Sequence, residues 1–196
     1  MEISDIFELS RGTRQSALKV LKALDVVNIC HGVGATVNIV GSLKTDLMMD
    51  HLDIDLHVYT DEPMVKKSFS FMEKISENKA IKNIQYKNLL DTEEECIEWH
   101  AWYEHGDKRI WKLDIIHIRK GSCYDGFVEK VTDKIIKQLT PETKEAILRI
   151  KYEMTSENNA QGIQIYYAVL EQGIRNYSDF AQWQKENPMA GILKWI

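Results

Sequence analysis

The stretch that decides the fold is VNIVGSLKTDLMMDHLDIDLH, residues 37–57. It opens with a short apolar run, Val37 to Val40, whose β-branched side chains favour an extended strand. Gly41-Ser42 then turns the backbone, because glycine and serine are both common turn residues. The next residues, Leu43 to Met49, are long enough for one or two helical turns. The sequence therefore predicts a strand, a tight turn and a short helix.

A second strand is predicted to begin at Asp53-Ile54-Asp55. Residues two apart on a strand face the same way, so both carboxylates leave one face of the sheet. Two carboxylates that lie close together repel each other unless a cation lies between them, and hard oxygen ligands suit Mg²⁺. Backbone amides at the Gly41-Ser42 turn can hold phosphate oxygens. Together these features indicate a phosphoryl or nucleotidyl transfer site.

The same residues carry a family resemblance. Gly41-Ser42, ten intervening residues and then Asp53-x-Asp55 resembles the signature of the DNA polymerase beta-like nucleotidyltransferase superfamily. That family carries a third carboxylate on a later strand, and this chain offers Asp114. A motif match is a hypothesis until its structural context is known. The alternative interpretation is a strand–turn–strand whose acids only keep a sheet edge soluble.

The resemblance implies an α/β fold, a mixed sheet flanked by helices, and a Mg²⁺-dependent reaction with two ions possible. A nucleoside monophosphate would move from a nucleoside triphosphate, with ATP as the expected donor, to an acceptor hydroxyl. Asp53 and Asp55 would bind the metal, and Gly41 and Ser42 would hold the β- and γ-phosphates. Asp114 would bind a second metal or take the acceptor proton.

Asp114 also stands out from the residues around it. Two β-rich runs, Cys96 to Tyr103 and Ile110 to Ile118, flank a glycine-containing turn and predict a hairpin. Asp114 is the one acid in the second, apolar run, and a carboxylate there costs free energy unless it is paired or bound to metal. This favours Asp114 as a metal ligand. A solvated edge acid or a salt bridge to Lys112 is the alternative.

The phosphate turn departs from the family in one respect. Many members place a basic residue and a glycine shortly after Gly-Ser, where this chain has Thr45 and Asp46. Lys44 is the nearest cation and is the predicted substitute for binding a triphosphate.

The composition limits the classes of molecule that the protein is expected to bind. The chain has 196 residues, a net charge of -5 and three cysteines, Cys30, Cys96 and Cys123. An acidic balance argues against a long nucleic acid partner, which needs a basic face, so a small-molecule or protein acceptor is expected. The cysteines are odd in number and are not spaced as in a metal site, so we expect free thiols in a reducing compartment. With no apolar run near the ~20 residues of a membrane span, the expected location is cytoplasmic, without a membrane partner.

Helical periodicity completes the prediction. A first helix is expected from Thr13, its predicted N-cap, to Cys30. Its predicted buried stripe consists of Leu18, Leu21, Leu24 and Val27. The predicted organisation is a nucleotidyltransferase core over residues 1–139 and a C-terminal helical region over 140–196 packed on it. Two alternatives to a small-molecule enzyme stay open. One is a nucleotidyltransferase that modifies a protein, as antitoxins of this fold do, and the other is a catalytically silent nucleotide-binding module.

Overall fold

A five-stranded sheet and eight helices make up the described part of the chain, residues 2–61, 65–154, 160–188 and 195 of a computed structural model. The helices are α1 (Ile3–Leu24), α2 (Val26–Gly32), α3 (Gly41–Thr45), α4 (Val65–Ser76), α5 (Phe127–Gln138), α6 (Pro141–Glu153), α7 (Gly162–Leu170) and α8 (Tyr177–Glu186). The strands are β1 (Thr36–Ile39), β2 (Asp53–Thr60), β3 (Ile81–Leu89), β4 (Cys96–Glu104) and β5 (Ile110–Arg119). The predicted class, a mixed sheet flanked by helices, is confirmed.

The strands lie in the order β1-β2-β5-β4-β3. The β2 and β5 strands are parallel neighbours, and every other adjacent pair is antiparallel. The predicted hairpin is present as β4 and β5. The register of β2 and β5 places Asp55 directly opposite Asp114 and Asp53 opposite Lys112.

The two faces of the sheet differ in polarity. Side chains that alternate with the acids point to a buried apolar face, as the period of two requires. They form one core cluster with residues of α1, α2 and α4; its fully buried members from the sheet include Ile54, Leu56, Ala101, Trp111, Leu113 and Ile115. The opposite face carries Asp53, Asp55 and Asp114, which therefore lie outside the apolar core.

A second apolar cluster joins helices α5, α6, α7 and α8 to the core. It includes Leu47 and Met49 from the segment after α3, and Ile6 from α1. The start of α6 follows the predicted capping pattern, since the Thr140 side chain accepts a hydrogen bond from the Thr143 amide and Pro141 is the first helical residue. The C-terminal helices thus pack on the segment that leads into the acidic strand.

The first helix differs from the prediction. It begins at Ile3, so Thr13 is buried inside α1 and caps nothing. Leu18 and Val27 are 39% and 40% exposed. Residues spaced three apart on an α-helix rotate by about 60° around its axis at each step, so a strict three-residue repeat leaves the buried face. The buried residues of α1 are instead spaced three and four apart in alternation. The chain also breaks at Asp25, whose φ of 51° separates α1 from α2.

Over the described residues, none of the helices combines the length and the apolar character needed to cross a bilayer.

Candidate active site

Gly41 is where the phosphate turn touches the acidic strand. It is the first residue of α3, two residues before the predicted helix start. Its φ of 63° lies in the left-handed region, which favours glycine. A Cβ at this position would overlap Oδ2 of Asp55. The amide of Val40 also donates to the Asp55 carbonyl oxygen at 3.1 Å. Only glycine fits here, because the backbone of the turn lies directly against the carboxylate.

Asp53 and Asp55 lie on the same face of β2, and their environments disfavour two negative charges. Burial, with the charges of Asp114 and Asp53, raises the pKa of Asp55 from 3.8 to about 6. Burial and Asp114 also raise the pKa of Asp53, an effect that Lys112 and His51 oppose. A cation placed between these carboxylates would relieve the repulsion.

Asp114 is paired where it meets β2. The Lys112 ammonium lies 2.9 Å from its Oδ1 and donates a hydrogen bond to its Oδ2 at 3.1 Å. His100, its cross-strand neighbour on β4, places Nε2 at 3.5 Å from Oδ1 and at 2.7 Å from Oε1 of Glu98. The salt bridge to Lys112 that the sequence left as an alternative is therefore present. It coexists with the position of Asp114 beside Asp55.

A cavity of about 780 Å³ opens over the three aspartates. Gly41, Ser42 and Thr45 line one side. Lys151 of α6 lines it as well and is 8% exposed. The remaining wall is largely apolar and comes from α5 and α7; it includes Phe127, Val128, Val131, Ile135, Ile163 and Ile165. The cavity thus has a charged end at the carboxylates and an apolar side.

Lys151 is the ammonium that faces the carboxylates in this cavity. Its Nζ donates to the Leu47 carbonyl oxygen at 2.7 Å and to the Tyr166 hydroxyl at 3.3 Å. Its charge lowers the pKa of both Asp53 and Asp55, although burial outweighs it. Lys44, the cation predicted for this purpose, is exposed and does not line the cavity. The sequence indicated Lys151 only as part of a possible acceptor-pocket wall, with Tyr152 and the helix from Ala160 to Gly173, and did not place its charge beside the carboxylates, because it follows the motif by about a hundred residues.

Glu129 is a residue that the sequence did not single out. Its Oε1 accepts hydrogen bonds from the Tyr59 hydroxyl at 2.8 Å and from Asn38 at 3.1 Å, and lies 3.2 Å from His57 Nδ1. Burial alone would raise the pKa of Glu129, but hydrogen bonds from His57, Asn38 and Tyr59 hold it at about 2. Since His57 also lines the cavity, this network fixes the ring beside Asp55. No local pattern marks Glu129, because its partners lie on other elements of the chain.

The donor set suits Mg²⁺, whose preferred ligands are carboxylate oxygens. Oδ1 of Asp114 is buried and lies 2.9 Å from the Lys112 ammonium, although that contact is not aligned as a hydrogen bond. In the arrangement described, no three histidine, cysteine, aspartate or glutamate side chains of the described ranges already form a metal-binding group. The carboxylates of Asp55 and Asp114 are on neighbouring strands, and an ion shared by all three aspartates would need a side-chain arrangement different from the one described.

Solved structures with the same fold are known. A cytoplasmic RNA terminal U-transferase is 14% identical with a TM-score of 0.54, covering 85% of this chain and 51% of that protein. The Cid1 poly(U) polymerase with MgGTP is 14% identical with a TM-score of 0.60, covering 86% and 54%. The GLD-2/RNP-8 complex is 10% identical with a TM-score of 0.61, covering 95% and 67%.

These likenesses show that the chain shares the fold of these three structures. The chain spans about half the length of the U-transferase and of the poly(U) polymerase. No family model matches the sequence, and neither does any curated protein at a significant level.

Proposed function

We propose that this chain transfers a nucleoside monophosphate from a nucleoside triphosphate to an acceptor hydroxyl, with release of pyrophosphate. One observation carries the proposal: Asp55 and Asp114 lie opposite each other on parallel strands, and Gly41 closes against Asp55 at the floor of a cavity. The fold shared with known nucleotidyltransferases supports the same reaction class. Retention of all three carboxylates speaks against a catalytically silent module.

Each part of the cavity has a proposed role. Asp53, Asp55 and Asp114 would hold Mg²⁺, which when bound neutralises phosphate charge and polarises the phosphorus–oxygen bonds. The backbone of Gly41 and Ser42 would hold phosphate oxygens. Lys151 would add a positive charge opposite the carboxylates, a role the sequence had given to Lys44. Asp114, on the side facing β4, is suited to accept the proton of the acceptor hydroxyl.

The apolar wall gives the donor base a place to bind. Phe127, Val131 and Ile163 line the cavity away from the carboxylates, and apolar walls with a few polar groups are typical of small-molecule sites. ATP is the donor proposed from the sequence. Solved structures of the poly(U) polymerase hold MgGTP or MgATP, so the assay has to compare all four triphosphates.

Two acceptor classes compete. A small molecule or a protein side chain fits the net charge of -5 and the carboxylate of Glu98 on the cavity wall. The 3′ end of an RNA is the second candidate, because the structures with this fold are named as an RNA terminal U-transferase and a poly(U) polymerase. The expectation that excluded long nucleic acids has no support from these structures.

The test is direct. Purified protein is incubated with each α-labelled triphosphate and Mg²⁺ or Mn²⁺, together with a hydroxyl-rich small-molecule panel, a protein panel or a single-stranded RNA oligonucleotide. We expect pyrophosphate release and label transfer to one acceptor class, and loss of both in the Asp53→Asn variant. Failure of the folded wild-type protein to bind any triphosphate in the presence of either metal would refute the proposed function.

A further inference from the structure

Lys112 is paired with both oxygens of the Asp114 carboxylate. Its ammonium lies 2.9 Å and 3.1 Å from them. On β5 it is two residues before Asp114, so both side chains leave the same face of the sheet. Its backbone lies opposite Asp53 on β2. The lysine thus lies beside two of the three carboxylates of the candidate site.

We propose that Lys112 is a built-in counter-ion of the carboxylate site: it neutralises Asp114 while no metal is bound, and a metal that binds Asp114 has to compete with it for that carboxylate. This inference rests on the proposed function, because it concerns how the same site is loaded.

The argument is one of competition for the same oxygen atoms. A divalent metal binds a carboxylate oxygen at about 2.1 Å, and the ammonium already lies at hydrogen-bond distance from both oxygens of Asp114. Two cations on the same carboxylate also repel each other. Metal binding at Asp114 therefore weakens the pair with Lys112 and favours a Lys112 side chain that has moved away.

Lys112 is able to move. Its side chain is 30% exposed, and a lysine ammonium sits on a flexible four-carbon stem. By contrast Lys151, the other ammonium of the site, is 8% exposed and is held by Leu47 and Tyr166. The site thus has one fixed cation and one that can be displaced. Binding is then ordered: Asp53 and Asp55 can take the first ion without moving Lys112, and an ion shared with Asp114 displaces it.

The measurement is Mn²⁺ affinity by titration calorimetry, with the melting temperature of the metal-free protein recorded alongside. Lys112→Gln removes the competing charge, and Lys112→Met is a second variant of similar length. Lys87→Gln is the matched control: it removes one positive charge from a lysine that lies 3.7 Å from Glu98 and is 62% exposed. An Asp114→Asn background removes the carboxylate for which Lys112 and the metal compete.

We expect both Lys112 variants to bind Mn²⁺ at least about threefold more tightly than wild type, in line with the loss of an ion pair whose side chains are 30% and 24% exposed. Their metal-free forms should melt at a lower temperature. Lys87→Gln should bind Mn²⁺ as wild type does, and the Lys112 effect should vanish in the Asp114→Asn background. Equal or weaker Mn²⁺ binding by the Lys112 variants, or the same gain in Lys87→Gln, would overturn the inference and leave the proposed function standing. Absence of Mn²⁺ binding in every variant would overturn both.

Discussion

Replacing Asp55 by asparagine should stabilise the metal-free protein at neutral pH. Asn keeps the shape of the side chain but removes the charge that burial and two neighbouring aspartates disfavour. The pKa of Asp55 is raised from 3.8 to about 6, so below pH 3.8 the group is protonated in both the folded and the unfolded state. Above pH 6 it is ionised in both, and its full cost is then present.

The expected size of this stabilisation follows from the pKa shift of Asp55. One pKa unit corresponds to about 1.4 kcal/mol, so the ionised Asp55 carboxylate destabilises the fold by as much as about 3 kcal/mol at pH 7. For a chain of this size that is a rise of about 6 to 12 °C in melting temperature for Asp55→Asn. The gain should shrink as the pH falls from 6 towards 4.

Urea unfolding of wild type and Asp55→Asn between pH 4 and 8 measures this directly. Asp133→Asn is the control, because it removes the same charge from an exposed position on α5. Millimolar Mg²⁺ should raise the melting temperature of wild type and not that of Asp55→Asn, since a ligand stabilises only the state that binds it. If Asp55→Asn is less stable than wild type by the same amount at every pH, the carboxylate is a structural acceptor and the reasoning is wrong.

Three further predictions address the turn, the core and the reaction. Gly41→Ala should cost about 1–3 kcal/mol of stability through its left-handed φ and weaken triphosphate binding in calorimetry, whereas Gly12→Ala, with nothing within 4 Å of its Cβ, should stabilise α1 by up to about 1 kcal/mol. Burial lowers the pKa of His117 from 6.5 to about 4, so the unfolded state binds the proton first as the pH falls. The free energy of unfolding should therefore decrease by about 3 kcal/mol between pH 6.5 and pH 4. His117→Gln should remove this pH dependence in urea unfolding, and an unchanged pH dependence would contradict the prediction. Asp114→Asn should leave triphosphate affinity within about tenfold and reduce transfer at least ~100-fold, and wild-type turnover would remove Asp114 from the site.

The fold was largely predictable because its local signals agree with its tertiary structure. The glycine-containing turn before β5 predicted the hairpin. The alternation in β5 predicted the face of the sheet on which Asp114 lies. The motif placed Gly41 and Asp55 near each other, and they are in contact. The prediction of the first helix was wrong about two residues of its buried stripe. Leu18 and Val27 fit a three-residue apolar repeat in the sequence but are exposed in the structure.

Apart from the pair between Lys112 and Asp114, the charged partners of the site could not be predicted in the same way. Lys44 is close to the motif in sequence but exposed, whereas Lys151 reaches the cavity from α6. Glu129 meets His57 across 72 residues. Neither contact follows from spacing or periodicity, because each depends on how a helix packs on the sheet. Local sequence thus predicts the acids, and only the packing shows which charges balance them.

That balance also bears on the predicted division of the chain at residues 139 and 140. Lys151 belongs to the proposed C-terminal region, yet its ammonium donates to the carbonyl oxygen of Leu47, which precedes the acidic strand. The apolar wall is likewise shared, with Val131 from one side of the division and Ile163 from the other. A core cut at residue 139 would keep Asp53, Asp55 and Asp114 but lose the buried ammonium and half of the cavity wall. Because the three carboxylates would then lose the positive charge of Lys151, which lowers the pKa of Asp53 and Asp55, we expect the C-terminal helices to be needed for a stable charged site as well as for binding the donor.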